Sequence, residues 1–215
     1  KACMPSAASS ARQFIAITDP GTKLDNLARS RNFNRVINAD PKVGGRNSAL
    51  TAFGLAPAAI CGVNVEHLLE NAQHMAELSL PDKPLSNNPG MALGVILGAA
   101  AQKGRDKVTL IADGEWKAFG DWLEQLIAES SGKENKGIVP ISKEPELKAQ
   151  EYRKDRLYIY LEKDGEKRQF AQDLLNAGHP VLTFAVSNTY DLGSQFYMWE
   201  VAVATACAII GVNSF

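Results

Sequence analysis

Cysteine is scarce in this sequence. The three present, Cys3, Cys61 and Cys207, stand far apart in 215 residues. So sparse and odd a set builds neither a disulfide framework nor a metal-ligand pattern, and it fits a reducing cytoplasm. Cys207 sits in an apolar stretch and reads as inert packing. Charge of one sign is not in excess either. A net charge of -1 lacks the basic patch that an electrostatic nucleic-acid binder needs. Long apolar runs are missing. The most apolar stretch, Phe196–Val212, carries Glu200 and falls short of the ~20 residues of a membrane span, so a buried core helix is expected and no membrane partner. No signal peptide, internal repeat or low-complexity tract is visible. The G-x-G-x-x-G fingerprint and the Lys-Ser/Thr phosphate motif are absent as well, which weakens a nucleotide-dependent reading.

What remains is an ordinary globular composition, 45% hydrophobic and 22% charged, long enough for one large or two small domains. Residues 1–12 are small and polar and read as a tail or loop. Phe14–Ile17 reads as a strand buried on both faces, followed by a Pro20-Gly21 turn. A helix over Lys23–Ser30, with Leu24, Leu27 and Ala28 inward, and a strand over Arg35–Asn38 complete a βαβ rhythm. Asn64 suits an N-cap for an amphipathic helix bearing His67 and His74 on its polar side, read as surface histidines. Three prolines, Pro81, Pro84 and Pro89, mark a linker over residues 79–89. Beyond it come a Gly/Ala-rich helix (Met91–Ala101, capped by Asn88), strands at Val108–Ala112, Gly137–Ile141, Leu157–Leu161 and Pro180–Val186, and helices between them. Residues 142–156 are highly charged, an exposed loop or helix. The expected class is α/β, with parallel, doubly wound sheets flanked by helices, in parts 1–80 and 81–215.

Three segments carry candidate chemistry. Thr18-Asp19-Pro20-Gly21-Thr22 follows a strand, at the sheet edge where such folds bind ligands. Thr18 and Thr22 offer hydroxyls, Gly21 exposes backbone N–H groups, and the following helix adds a positive dipole end. Asp19 is a like charge near such a phosphate cradle. Val43-Gly44-Gly45-Arg46-Asn47-Ser48 combines close backbone approach with a fixed positive charge. Trp116, Phe119, Leu123, Leu126 and Ile127 mark one apolar helix face, which should stop at Gly132, with Lys133 complementing the dipole. Glu129 stands in the last turn with Gln125 four residues earlier on the same side, within hydrogen-bond reach. A carboxylate so placed is a candidate general base. Spacing equally allows a solvated glutamate at a helix end. Glu200, set among apolar residues, is a second carboxylate for which a partnered structural role is expected.

These segments resemble the phosphoglucose isomerase family. Gln125-x-x-x-Glu129-Ser130-x-Gly132-Lys133 matches its signature, with Ser131 where the family usually has Asn. Val43–Ser48 is similar to its V-G-G-R-[YF]-S loop, with Asn47 replacing the aromatic. The strand and loop through Thr22 take the place of its Ser/Thr-rich phosphate loop. The likeness is greatest to the isomerase part of bacterial transaldolase–phosphoglucose isomerase fusions. It implies the sugar isomerase fold, with the first unit incomplete. It also implies a hexose phosphate substrate, glucose 6-phosphate to fructose 6-phosphate, and a homodimer, with a transaldolase domain fused in some members. Implied roles are Glu129 as the proton shuttle, Arg46 and the Gly45 amide at the enediolate, Thr18 and Thr22 at the phosphate, and Gln125 as positioning group, with no metal or organic cofactor. Three family parts have no counterpart here: a first βα unit, the ring-opening histidine (His179, in a Gly-His-Pro turn, is a poor match) and a catalytic lysine after residue 215. A piece of a longer enzyme, inactive alone, is therefore expected. The competing reading is a regulatory module that senses a phosphosugar without converting it.

Overall fold

The computed structural model describes residues 10–215. Cys3 and most of the expected N-terminal tail lie outside them. The chain forms two compact units, dividing between Val65 and Glu66.

The first unit holds two parallel strands, β1 (Ile15–Thr18) and β2 (Arg35–Asn38), paired from Ile15↔Arg35 to Thr18↔Asn38. Helix α1 (Lys23–Ser30) connects them. Its start is written locally. Gly21 takes φ +76°, and the Thr22 hydroxyl caps the helix by accepting from Asp25 N at 3.2 Å. Burial of β1 on both faces is not realised. Phe14 and Ile15 are 54% and 41% exposed, and Leu24 and Leu27 of α1 are also exposed, while Ala28 is buried. A two-stranded sheet with one crossover helix has too little surface to cover so many apolar side chains. Helix α2 (Ala52–Ile60) is not expected from the sequence, because Gly54 and Pro57 interrupt its period. Thr51 caps it, and at Gly54 a Cβ would lie 2.0 Å from the Ala49 carbonyl oxygen, so only glycine fits.

The second unit begins with α3 (Val65–Leu78), which starts at the division, and α4 (Pro89–Gln102). Helix α3 lies against the start of α7 (Leu192–Ile210): Asn71 Nδ2 donates to Tyr190 O and Ser194 Oγ donates to Asn71 O. The Asn88 side chain caps α4 by accepting from Met91 N at 2.9 Å, with Pro89 in the first turn. The small residues of α4 serve close packing. A Cβ at Gly90, Gly94 or Gly98 would come within 2.8 Å of Val201, Ala202 and Thr205, or Ile209 of α7.

Four parallel strands follow in the order β4-β3-β5-β6: β3 (Lys107–Ala112), β4 (Val139–Ile141), β5 (Arg156–Glu162) and β6 (Val181–Ala185). Helix α5 (Phe119–Ser131) joins β3 to β4, and α6 (Arg168–Asn176) joins β5 to β6. Strand β5 is central, and its alternation sorts its side chains. Leu157, Ile159 and Leu161 enter a large core with Leu97, Leu126 and Trp199. Tyr158 and Tyr160 enter a smaller one on the other face with Ile111 and Leu174. Among the described residues, no helix is long and apolar enough to cross a membrane, and no group of three or more His, Cys, Asp or Glu side chains is placed to hold a metal.

Strand order reverses between β3 and β5, and Asp113 fills that point. It is fully buried. Its carboxylate accepts from the Tyr160 hydroxyl and from the backbone N–H groups of Lys163, Asp164, Gly165 and Lys167. Burial alone would raise its pKa, but the Tyr160 hydroxyl and these N–H donors outweigh it and hold the carboxyl below its ordinary value. The same pairing, after burial, pushes Tyr160 up to about 12. A depressed folded pKa contributes stability above the unfolded value of 3.8 and loses it as pH falls through the folded value. Asp113→Asn is therefore expected to lower unfolding free energy at pH 7 by about 2–4 kcal/mol. The gap should narrow as pH drops below about 4, where the parent carboxyl is itself protonated. Urea denaturation at pH 7 and pH 3 measures both; equal stability at pH 7 would refute the role.

Candidate functional site

The first unit presents its loop beyond the carboxyl end of β1, where parallel sheets place ligand sites. Thr18, nearly buried, and Thr22 face each other with hydroxyl oxygens 2.6 Å apart. Thr22 Oγ1 also donates to Asp19 O at 3.0 Å, so the hydroxyl protons of this pair are engaged within the loop. The Gly21 N–H, expected to face an anion, instead donates to Asp25 Oδ2 at 2.9 Å. Asp25 is the organising group here. It is buried, paired with Arg29 Nε at 2.8 Å, and touched by Asn38 Nδ2. The Gly21 N–H first, then Asn38 and Arg29, overcome the opposing effect of burial and hold its carboxyl below the usual range. Composition gives no hint of it, but Thr22-x-x-Asp25 ahead of a helix is a capping pattern that could have.

Arg46 lies in a single 3-10 turn, Gly45–Asn47, and is half-buried. Neither Gly44 nor Gly45 has a positive φ. A Cβ at Gly45 would meet nothing within 4 Å among the described residues, and one at Gly44 only Arg46 Nη1 at 3.9 Å. The fold of this chain therefore does not demand these two glycines; they leave bare backbone beside the arginine.

The second unit holds Gln125 and Glu129 near the end of α5. Gln125 Nε2 donates to Glu129 Oε1 at 3.1 Å, and both side chains are exposed. Beneath them Leu126, Ile127 and Ser131 are buried. The Ser131 hydroxyl donates to Ile127 O at 2.8 Å and accepts from Ile138 N at 2.9 Å, stitching the helix end to the approach of β4. Gly132 ends the helix as expected, but by another means. Its φ is -75°, and a Cβ there would press within 2.7 Å of Ala128 O. Lys133 does not serve the helix carbonyls; its Nζ donates to Asn213 O at 2.7 Å and Phe215 O at 3.1 Å. Because α5 leaves the carboxyl end of β3 and returns to the start of β4, Glu129 lies toward the amino edge of its sheet. The edge rule that locates the Thr18–Thr22 loop does not locate Glu129.

His179 is structural. It is buried, its Nε2 is 3.1 Å from Ala149 O, and its ring stands edge-on to Tyr158 at 5.5 Å. His67 stacks on Tyr190 at 4.5 Å. Glu200 departs from expectation. Its Oε1 is buried without a hydrogen-bond partner among the described residues, and burial pushes its pKa up to about 7. The reason is its seat on α7, between turns that pack into the apolar core. For an acid raised in the fold, the penalty appears as pH climbs from the unfolded value of 4.5 and is complete above about 7. Glu200→Gln should match the parent below about pH 4 and exceed its stability at pH 8 by on the order of 2–3 kcal/mol. Denaturant midpoints across that range test this, and a variant less stable at pH 8 would show an ionised partner instead.

No family model matches the chain. It is 35% identical over 130 residues to the glucose-6-phosphate isomerase of Methanocaldococcus jannaschii, across 60% of this chain and 32% of that protein. It is likewise 35% identical over 136 residues to the glucose-6-phosphate isomerase of Caldanaerobacter subterraneus subsp. tengcongensis, across 61% and 30%. With that of Prochlorococcus marinus it shares 38% over 121 residues, across 55% and 23%. The chain is thus related to glucose-6-phosphate isomerases, and it spans about a third or less of the length of these relatives. A hypothetical protein of Thermus thermophilus has the same fold, with a TM-score of 0.84 and 20% identity, over 98% of this chain and 60% of that one. The parallel sheets flanked by helices are consistent with the sugar isomerase fold.

Proposed function

We propose that this chain is part of an enzyme that interconverts glucose 6-phosphate and fructose 6-phosphate through an enediolate. The observation that carries the reading is the hydrogen-bonded Gln125–Glu129 pair, set at a helix end within the stretch that resembles the isomerase signature. In this reading the Glu129 carboxylate takes the proton from carbon two of the open-chain aldose, and electrons shift to give the enediolate. The same carboxyl then returns that proton to carbon one, while the hydroxyl proton on oxygen two passes to oxygen one, which leaves the carbonyl at carbon two. Gln125 holds one carboxylate oxygen and so orients the other. Arg46 and the Gly45 N–H would face the oxyanion, where charge develops. The open space beside Gly44 and Gly45 supports this: their carbonyls accept from Asn47 N, Ser48 N and the Ser48 hydroxyl within the turn, and no side chain crowds the backbone there. Thr18 and Thr22 would hold the phosphate, which requires their hydroxyls to turn from each other and from Asp19 O. The chemistry needs no metal or organic cofactor.

Residues 1–80 would then supply part of a first sugar isomerase subdomain plus a connecting helix, and 81–215 a second subdomain with its C-terminal helix. A lysine and a ring-opening histidine would come from other parts of a longer polypeptide or from a second copy, in a cytoplasmic homodimer, and the same scheme accommodates a fused transaldolase domain. A phosphosugar-sensing regulator would need the hydroxyl loop but not the Gln125–Glu129 pair. Deuterium exchange at carbon two of bound substrate separates the two.

In the intact enzyme, Glu129→Gln should cut kcat by roughly 10²–10⁴ while KM changes only several-fold. A coupled assay for fructose 6-phosphate reads this, and near-normal turnover removes Glu129 as the base. The 215 residues alone should show little turnover; full activity from them would mean that the groups assigned to the rest of the enzyme are dispensable.

A further inference from the structure

The charged connection from β4 to β5, residues 142–155, holds only one short turn, Ala149–Glu151. A loop this long and irregular within a compact unit is uncommon and usually functional. It is also tied down along its length. Ser142 packs on Gly120, where a Cβ would come within 2.7 Å of the serine Cβ. Lys143 pairs with Asp121 at 2.6 Å, and Glu144 takes a two-pronged bond from Arg156 at 2.7 and 3.0 Å. Glu146 meets Lys167 at 2.8 Å, and Leu147 N donates to the Tyr152 hydroxyl at 2.9 Å. The Ser142–Gly120 packing, the two-pronged Arg156–Glu144 bond and the Leu147–Tyr152 bond hold the segment as a roof, and the two lysine pairs add little to it.

Beneath it lies a cavity of about 310 Å³, floored by residues 109–112 of β3. Its apolar walls include Tyr152, Tyr158 and Phe170, with rings held edge to face. At its polar side stand Lys117, Lys143 and Lys167 against Glu144 and Glu146. Tyr158 is fully buried, yet its hydroxyl has no hydrogen-bond partner among the described residues. A buried polar group left unpaired is destabilising, and an acceptor brought by a ligand would remove that penalty. Burial also drives the phenol well above its ordinary pKa, so it stays protonated and can only gain from an acceptor. Lys117 and Lys143 sit in exposed pairs with Glu166 and Asp121, and the half-buried Lys167 pairs with Glu146. Such pairs are worth little and can rearrange toward an incoming anion.

We infer that this cavity is a separate ligand site, for a small molecule with a ring-sized apolar body, an acceptor oxygen for the Tyr158 hydroxyl and an anionic group for the lysines. The inference does not depend on the isomerase reading, because none of the residues assigned to that chemistry lines the cavity.

The test is a two-dimensional NMR titration of the ¹⁵N-labelled full chain with 4-methoxybenzoate. Two comparators accompany it: 4-ethylbenzoate, which lacks the acceptor, and 4-methoxybenzyl alcohol, which lacks the charge. Saturable shifts confined to residues 109–112, 142–152, 158 and 170 are expected, with both comparators several-fold weaker. Tyr158→Phe should erase the preference for methoxy over ethyl, and Lys143→Gln should reduce the preference for acid over alcohol. Lys143 is exposed, so that variant carries the test if Tyr158→Phe fails to fold. No saturable binding of any probe, shifts centred elsewhere, or preferences untouched by the substitutions would overturn the assignment.

Discussion

A carboxylate buried without hydrogen bonds would be protonated or expelled, and the second unit is arranged around avoiding that at Asp113. The residue follows β3 directly, at the reversal of strand order, where open α/β sheets leave a crevice. Four backbone N–H groups of residues 163–167 and the Tyr160 hydroxyl converge on it. Converging N–H groups at the start of a helix are what such folds offer to a bound phosphate. Here the chain supplies its own anion. The bond fixes the end of β3 to the turn after β5 and sets the start of α6. It also engages the backbone donors that such a crevice would otherwise turn toward an anion.

The first unit uses the same device on a smaller scale. Asp25 takes the Gly21 N–H, and Thr22 closes the other side of the turn by accepting from Asp25 N. The loop that most resembles a phosphate cradle is therefore at rest with its donors engaged. This does not disqualify it, because neutral hydroxyl–hydroxyl and hydroxyl–carbonyl bonds are weaker than charge-assisted ones to a phosphate. It does mean that the proposed phosphate binding would include a local rearrangement, against the like charge of Asp19 and of Asp25, the latter already paired with Arg29.

Much of the scaffold is legible in the sequence because its signals are local. The Asn88 cap, the turn at Gly21, the four-residue spacing of Gly90, Gly94 and Gly98, and the alternation through β5 each lie within a few residues of what they determine. The Gln125–Glu129 hydrogen bond is legible for the same reason, being a matter of one helical turn. What is not legible depends on distant partners. Asp113 is one aspartate among many until residues fifty positions later are seen to surround it. Lys133 looks like a helix-end charge, but its ammonium goes to carbonyls near residue 215. Helix α2 escapes a sequence reading because Gly54 and Pro57 speak against it locally, while the packing of Ala49 on Gly54 shows only in the fold. Glu200 is expected to have a partner on the general rule that buried charges are paired; desolvation with no paired Oε1 is the other outcome, a group that neutralises instead.

Glu129 and Glu200 show why burial alone is a poor guide to catalysis. Glu200 has the perturbed acidity often sought in a general base, yet its Oε1 is buried and unpaired among the described residues, on a helix whose neighbouring turns enter the apolar core. Glu129 is accessible, and one of its oxygens is held by a neutral donor on the same rigid helix. Proton transfer requires the acid oxygen within about 3 Å of the carbon-bound hydrogen's position, so reach precedes pKa. Desolvation of an exposed carboxylate can be supplied by the substrate and by closure around it, at the moment when a stronger base is useful. On that ordering of requirements the exposed glutamate, not the half-buried one, is the better fit to the proposed base.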